Sequence, residues 1–269
     1  MKRRFPSRSV SDRVDPRSAV WSGVAWDGEG GLLAADMHFA RLARHARRLD
    51  IEMPADAPKQ IFEALATLER PGEPVAADGQ PPFVIKARVD SSGEIFLEAF
   101  VNHRWPTVPL DAISLSAPNW EQPVRGTKHA DWQPHINARE TAIAHGAHIA
   151  LLFEDEILVD GDRCTPLLLD HDGVAYHPLH SGGALDSVTI EQIRPALEAA
   201  GIPVSGARLT LSMILRASEM LVVGSGMGIR AVGTIDGRTI GRPQGRLFQV
   251  AWESWLTRLE SGWVTAEDL

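Results

Sequence analysis

Lys128, in the segment GTKHADW at residues 126–132, is the residue whose chemistry stands out first in this sequence. The chain has 27 lysines and arginines together, yet its lysines are only Lys2, Lys59, Lys86 and Lys128. A guanidinium stays protonated, whereas an amine can lose its proton and attack a carbonyl. A mid-chain lysine kept in an arginine-rich chain is therefore a candidate nucleophile, with a solvated surface charge as the ordinary alternative.

The bulk composition excludes several classes of protein. A formal net charge of -8 over 269 residues is the wrong sign for nucleic acid or an anionic membrane, so neither is expected as a partner. No run approaches the roughly 18 consecutive apolar residues of a membrane span, and no apolar run follows the basic N-terminus as in a secretory signal. Because the single cysteine, Cys164, cannot form an intramolecular disulfide, we predict a cytoplasmic protein.

The first part of the chain predicts an arm, two helices and several strands. Residues 1–18 lack apolar periodicity and are expected to be irregular. Two strands follow around a turn at Asp27-Gly28, and two amphipathic helices are predicted in MHFARLARHARRLDI and PKQIFEALATLER. The segments PFVIKARVD and EIFLEAFVN are typical of a β-hairpin, and DAISLSA is typical of a further strand.

Residues 119–134 contain two prolines, a glycine and no clear periodicity, and we interpret them as an interdomain connection. Beyond them we predict a helix in INARETAIAHGA, four short strands, and a helix in SVTIEQIRPALEAAG that Ser187 or Thr189 could cap. A short helix, a strand, a hairpin turning at Asp236-Gly237 and a C-terminal helix complete the chain. The mixture predicts an α+β protein with a small N-terminal domain at 1–118 and a larger domain at 135–269.

The motif DMHFARL places Arg41 three residues after His38 at the start of the first predicted helix. It is similar to the histidine, two residues, arginine, leucine signature of the class IV pyridoxal-phosphate enzymes, which include branched-chain and D-amino-acid transaminases and aminodeoxychorismate lyase. The resemblance runs from about Trp21 to the C-terminus and implies the two-domain fold type IV architecture. It assigns Arg41 to the cofactor phosphate, which suits a bidentate guanidinium; a solvated basic face is the alternative for this arginine-rich helix.

A second block, GTKHADWQPHINARETAIAHGAHIALLFEDEILVDGD, resembles the family's order of lysine, helix, glycine, strand and acidic turn. The resemblance implies that Lys128 binds the aldehyde of pyridoxal 5′-phosphate. It also implies that Asp160 faces the pyridine nitrogen, where a carboxylate keeps the ring protonated. The family has glutamate, glycine and then asparagine four residues later, whereas this chain has Asp160, Gly161 and Thr165. Aspartate is one methylene shorter than glutamate, so the sequence does not decide whether it contacts the ring nitrogen directly. A simple hairpin turn is the alternative interpretation of VDGD.

Two further blocks resemble the family's remaining cofactor-binding segments. In GGALDSVTIEQI, Leu185 matches the leucine that packs on the ring, and Val188 and Thr189 match the helix start whose amides hold phosphate. In EMLVVGSGMGIRAVGTIDGRTIG, the loop that wraps the phosphate is matched by Ser225, Gly226 and Met227. Capped helices and glycine-rich turns are common, so the assignment depends on the four blocks occurring together in the right order.

The substrate cannot be carried over from the family, because SAVWSGVAWDG replaces its usual N-terminal strand motif. Three residues are candidates for the substrate pocket: Trp21, Arg88 and Trp132. Core packing is the alternative for the tryptophans, and a surface position is the alternative for the arginine.

The resemblance implies a transaminase that moves an amino group between an amino acid or amine and a 2-oxo acid through Lys128. It also implies pyridoxal 5′-phosphate as cofactor and a homodimer. An aminodeoxychorismate lyase, which releases pyruvate, is the second expectation, because GTKHADW and VWSGVAWDG look like lyase segments while IDGRTIG is more transaminase-like. A homologue that binds cofactor or a partner without turnover is the third, motivated by Asp160 and Thr165. No metal is expected, since the ten histidines are scattered.

Overall fold

Two β-sheets organise the protein in the computed structural model, which describes residues 14–74 and 77–269. Most of the arm predicted at residues 1–18 lies outside the described residues. The part that is described includes a short 3-10 helix at Pro16–Ser18. Among the residues described, no helix is long and apolar enough to cross a membrane.

Among the described residues, the smaller sheet has five strands, each antiparallel to its neighbours. Their bounds are Ala19–Trp26 (β1), Leu32–Leu33 (β2), Phe83–Asp90 (β3), Ile95–Val101 (β4) and Trp263–Val264 (β15). They are arranged in the order β15, β2, β1, β3, β4. Buried and half-buried residues alternate along β3, as expected when one face of a strand meets a core. The two hairpins predicted in this region are confirmed.

Two helices cover one face of the smaller sheet, at Ala35–Arg48 (α1) and Ala57–Leu65 (α2). Their apolar residues join those of β1 and β3 in one core, where the rings of Phe39 and Phe62 meet edge to face with centroids 5.9 Å apart. Both predicted helices are present. Their apolar residues, repeated at helical spacing, face the sheet and pack on it.

The larger sheet is mixed. Its strand bounds are Leu110–Ser116 (β5), Ile149–Glu154 (β6), Ile157–Gly161 (β7), Thr165–Leu169 (β8), Ala175–Pro178 (β9), Val204–Ala207 (β10), Leu209–Thr210 (β11), Glu219–Gly224 (β12), Gly228–Ile235 (β13) and Arg238–Thr239 (β14). The strand order is β10, β9, β8, β12, β13, β5, β6, β7, β11, with β14 paired to β13. Strand β5 pairs in parallel with both β13 and β6, whereas most of the other pairs are antiparallel. The mixed sheet and separate helices confirm the α+β class.

Four helices accompany the larger sheet. Their bounds are Gln133–Ala144 (α3), Val188–Ala199 (α4), Leu211–Arg216 (α5) and Arg246–Ser261 (α6). Helices α4 and α6 share a core with β8, β12 and β13, and the fully buried Trp255 of α6 also donates its indole N–H to the carbonyl of Gly79 at 2.9 Å. Helix α3 instead packs on β5 and β6.

Strand β5 lies in the larger sheet, although the sequence placed residues 1–118 in the small domain. Strand β15, near the C-terminus, lies in the smaller sheet. Apolar alternation identifies a strand but not its partner, and the partners of β5 lie far away in sequence. The chain passes from the smaller to the larger sheet between β4 and β5, so the exact domain boundary remains a prediction.

Candidate active site

A cavity of about 230 Å³ is lined by residues of both sheets and of helices α1 and α4. It brings together ten of the residues that the sequence pointed to: Trp21, Arg41, Lys128, Trp132, Leu185, Val188, Thr189, Ser225, Gly226 and Met227. These positions come from separate parts of the chain. The fold therefore gathers the motifs around one space.

Lys128 reaches this cavity from the irregular segment before α3. Gly126 makes the turn that precedes it, with φ of +71°, a conformation that residues with a side chain rarely adopt. A Cβ at this position would lie 3.1 Å from the carbonyl oxygen of Ala184, so the close approach of the two segments also favours glycine. The Lys128 carbonyl then accepts the backbone N–H of Trp21 at 3.1 Å, which ties the lysine to strand β1.

The amine of Lys128 lies between two indole rings. Its Nζ atom is 4.1 Å from the ring centre of Trp21 and 4.5 Å from that of Trp132, and the two rings meet edge to face. Burial, followed by the positive charge of Arg41, lowers the pKa of the Lys128 ammonium. A lysine with a lowered pKa is more often the neutral nucleophile that imine formation requires.

Arg41, on α1, also lines the cavity and is buried, with 5% of its surface exposed. Its Nη2 donates to Ser22 Oγ at 2.8 Å and its Nη1 to the carbonyl of Asp186 at 3.2 Å. The Nε atom is buried without a hydrogen-bond partner in the described part of the chain. His38, one turn earlier on α1, lies 2.9 Å from Ser22 Oγ and 3.2 Å from Ser225 Oγ, so it links Arg41 to the loop at residues 225–227.

The start of helix α4 adds backbone donors to the same cavity. Ser187 is the N-cap, and its Oγ accepts the N–H of Ile190 at 3.4 Å, so the sequence was right that one of two residues caps this helix. Thr189 lies inside the first turn. A helix start presents N–H groups that have no partner within the helix and favours an anion.

These features together test whether a phosphate fits. The cavity is lined by Arg41, by the first turn of α4 and by the loop at residues 225–227. The buried Nε of Arg41 needs an acceptor, because an unpaired buried donor is costly. The residues present therefore fit a phosphorylated aldehyde, with the phosphate near Arg41 and the aldehyde near Lys128.

Asp160 is buried beside this cavity but does not line it; its neighbour Gly161 does. The Asp160 carboxylate accepts the backbone N–H of Gly161 at 2.9 Å and that of Leu185 at 3.2 Å. It lines an adjoining small cavity of about 30 Å³ together with His129 and Trp132. Burial raises the pKa of the Asp160 carboxyl. That Asp160 faces a pyridine nitrogen therefore remains a prediction.

Arg88 lies outside the main cavity. It is on β3, directly opposite Trp21 of β1 in the register of the sheet. Its guanidinium lies 5.5 Å from the ring centre of Phe96, and it lines a separate cleft of about 280 Å³ that also includes Lys86 and Trp21. A substrate role for Arg88 remains a prediction.

Sequence reasoning did not identify several residues that shape the site. The backbone N–H of Lys128 donates to His45 Nδ1 at 3.1 Å, and His45 Nε2 lies 3.0 Å from Asp186 Oδ1. Other cavity residues that it did not assign to the site are Asn102, His103, Trp105, Arg163 and Cys164. Only His45 left a signal in the sequence, since it lies four residues after Arg41 and so on the same face of α1.

Comparison with known proteins places these motifs in context. The chain matches the model of the family described as amino-transferase class IV over residues 23–235. No curated protein sequence matches the chain.

Solved structures share its fold. The branched-chain aminotransferase from the archaeon Thermoproteus uzoniensis with norvaline has a TM-score of 0.75 at 18% identity, covering 93% of this chain and 90% of that one. The T.th. branched-chain amino acid aminotransferase complexed with N-(5′-phosphopyridoxyl)-L-glutamate has a TM-score of 0.73 at 20% identity, with the same coverage. A protein described as a candidate 4-amino-4-deoxychorismate lyase has a TM-score of 0.71 at 25% identity, covering 88% of this chain and 89% of that one.

Proposed function

The chain belongs to the class IV aminotransferase family of pyridoxal-phosphate enzymes, and we propose that it transfers amino groups through Lys128. The observation that carries this proposal is the position of the Lys128 amine. It lies in a cavity with a buried arginine, a helix N-terminus and a glycine-containing loop, and its pKa is lowered. The substrates proposed are an amino acid or amine as donor and a 2-oxo acid as acceptor.

Each residue of the cavity has a proposed task. When bound, pyridoxal 5′-phosphate supplies an aldehyde that takes up the amino group and a ring that withdraws electrons from the substrate Cα. The Lys128 amine would hold that aldehyde, and the same amine, once free, would move the proton from the substrate Cα to the aldehyde carbon of the cofactor, as a net transfer of the amino group requires. Trp21 and Trp132 lie against the amine and shield it from water, which favours its neutral form.

The part of the cavity formed by Arg41, the start of α4 and the loop at residues 225–227 is proposed to bind phosphate. Arg41 would donate from Nε, which has no partner among the described residues, and the amides at Val188 and Thr189 and the loop of Ser225, Gly226 and Met227 would complete the contacts. Leu185 would pack on one face of the ring, and its backbone N–H, which donates to the Asp160 carboxylate at 3.2 Å, would orient that carboxylate toward the ring nitrogen. Binding the phosphate firmly would hold the aldehyde in a fixed position relative to the Lys128 amine.

The proposal is tested by mixing the purified protein and cofactor with a panel of amino acids and amines, each with pyruvate or 2-oxoglutarate. Chromatography then measures the new amino acid. We expect at least one donor to give product only when an oxo acid is present. Loss of an amino group with no product amino acid from any acceptor would contradict a transaminase.

A lyase is the second candidate, because the candidate 4-amino-4-deoxychorismate lyase is 25% identical over 88% of this chain. A lyase needs no acceptor. Steady release of pyruvate from aminodeoxychorismate without an oxo acid would establish it and displace the transaminase proposal.

A cytoplasmic homodimer is also part of the proposal, as family resemblance implies for the assembly. Phe96 and Phe100 support an interface, since they are 40% and 43% exposed on β4, the edge strand of the smaller sheet. Light scattering after size exclusion should give twice the 29.4 kDa mass of the chain, and the single-chain mass at micromolar concentration would refute the dimer.

A further inference from the structure

His45 connects the lysine to the proposed phosphate end of the cavity. It is 2% exposed, on the face of α1 that also carries Arg41. Its Nδ1 lies 3.1 Å from the backbone nitrogen of Lys128, and its Nε2 lies 3.0 Å from Asp186 Oδ1. The imidazole thus bridges the segment that carries Lys128 and the residue that leads into α4.

The donors fix the tautomer of this ring. A backbone N–H can only donate, so His45 Nδ1 must be the acceptor and the single ring proton is on Nε2. That proton is donated to the Asp186 carboxylate. Burial lowers the pKa of His45 and so keeps the ring neutral, although Asp186 opposes this effect.

Asp186 is itself held in place. Arg44 donates from Nε and Nη2 to its Oδ2, and Arg41 donates to its backbone carbonyl at 3.2 Å. Although burial raises it, the pKa of the Asp186 carboxyl lies below its ordinary value, because His45 and Arg44 donate hydrogen bonds to the charged form. Asp186 directly precedes Ser187, the N-cap of α4.

We propose that His45 and Asp186 are positioning residues, which set the distance between the main chain that carries the Lys128 amine and the phosphate-binding start of α4. The inference rests on the proposed function of Lys128 and Arg41. An aldehyde phosphate is held at two ends, and its affinity depends on whether both attachments fit at once. Fixing the lysine main chain to Asp186 provides that fit before the ligand arrives.

A purely structural role makes a different prediction. If His45 only satisfies buried polar groups, its loss lowers stability and weakens phosphorylated and unphosphorylated aldehydes equally. If it sets the spacing, its loss removes the advantage that the phosphate gives, because one end no longer aligns the other. The ratio of affinities for pyridoxal phosphate and pyridoxal therefore separates the two roles.

The experiment uses two substitutions at the bridge and one matched control. His45→Asn keeps an acceptor for the lysine N–H but cannot reach Asp186, and Asp186→Asn removes the charge that orients the ring. The control is His177→Asn, at a buried histidine of β9 whose Nδ1 lies 3.0 Å from the Pro178 carbonyl and which does not line the cavity. Melting temperatures confirm that each variant is folded.

Affinities of the cofactor-free proteins for both aldehydes are measured by absorbance titration. We expect the advantage of pyridoxal phosphate over pyridoxal to fall by at least about tenfold in His45→Asn and Asp186→Asn and to be unchanged in His177→Asn. An unchanged ratio in both bridge variants overturns the inference while the proposed function stands. Failure of the wild-type protein to bind either aldehyde at Lys128, detected as a borohydride-stable adduct, overturns the proposed function and this inference with it.

Discussion

The hydrogen bonds of Arg41 indicate that this residue binds an anion. Two of its guanidinium nitrogens have protein acceptors, but Nε is buried and has none among the residues that the structure describes. Burial lowers its pKa to about 10, and the guanidinium still remains charged near neutral pH. A buried, charged donor without a partner is costly, and an anion would relieve that cost.

Substitution of Arg41 should therefore separate the phosphate from the aldehyde. We expect Arg41→Gln to lower affinity for pyridoxal phosphate about 10- to 150-fold, the effect of roughly 1.5–3 kcal/mol for a hydrogen bond to a charged group. Arg41→Lys should fall between, because it keeps the charge but not the fork. Affinity for pyridoxal should hardly change.

Equilibrium titration of the cofactor-free protein measures these affinities. Arg47→Gln is the control, since Arg47 is exposed on the same helix. An equal loss for both aldehydes would mean that Arg41 only supports the fold.

At the residue scale, the sequence could predict the site residues that belong to short local motifs. Lys128 and Arg41 lie in recognisable blocks, and the structure places both in one cavity. The bridge of His45 and Asp186 was not predictable, because its partners are 141 residues apart and only the fold brings them together. Whether the Asp160 carboxylate faces the ring nitrogen also depends on three-dimensional geometry, which the spacing of residues in the sequence does not determine.

Helix α4 illustrates the element scale, because its first turn both stabilises the fold and serves the site. Ser187 has extended backbone torsions and accepts the N–H of Ile190, as an N-cap does. Ser187, Val188 and Thr189 line the cavity, so the start of the helix, where the dipole favours an anion, lies at the proposed phosphate site.

Removing this cap should cost stability even without cofactor. We expect Ser187→Ala to lower the free energy of unfolding by about 1 kcal/mol, within the roughly 0.5–2 kcal/mol typical of N-caps. Urea denaturation of the cofactor-free protein measures it. Ser187→Asn is the control, since asparagine also caps well; equal losses in both variants would mean that the hydroxyl is not acting as a cap.

Element prediction succeeded where periodicity was long and failed where strands were short. Helices α1 and α6 extend over 14 and 16 residues, and their apolar spacing was readable. Strands β11 and β15 have two residues each, too few for any alternation to show. Strand β5 was found as an element, but its sheet was not, because pairing is nonlocal.

The whole molecule buries several histidines near Lys128, and burial lowers their pKa values below the ordinary 6.5. They are His38, His45, His129 and His135, with values of about 4 for His129 and about 3 for His135. The unfolded chain binds these protons at higher pH than the folded chain does. Stability contributed by the neutral rings is therefore lost as the pH falls below about 6.5.

His135 provides a test that isolates one of these groups. It stacks on Trp132 with ring centroids 3.8 Å apart, and phenylalanine can keep that stacking without titrating. Between about pH 6.5 and 4.5 the wild type should lose about 2 kcal/mol more stability than His135→Phe, following roughly 1.36 kcal/mol for each pH unit and proton.

Urea denaturation across that pH range gives both curves, and the comparison cancels the opposing contribution of Asp160 and Asp162, whose pKa values burial raises. Parallel curves for the two proteins would show that His135 is not held neutral by burial.

The proposed function depends most on Lys128 carrying the cofactor, and covalent trapping tests this role most directly. The wild type, Lys128→Ala and Lys86→Ala are each incubated with pyridoxal phosphate, reduced with borohydride, digested and analysed by mass spectrometry. Lys86 is the matched control, since its Nζ lies 5.3 Å from the ring centre of Trp21, the same ring that Lys128 approaches. We expect one adduct, on the peptide containing Lys128, in the wild type and Lys86→Ala and none in Lys128→Ala. An adduct on Lys86, or no adduct in the wild type, would contradict this role.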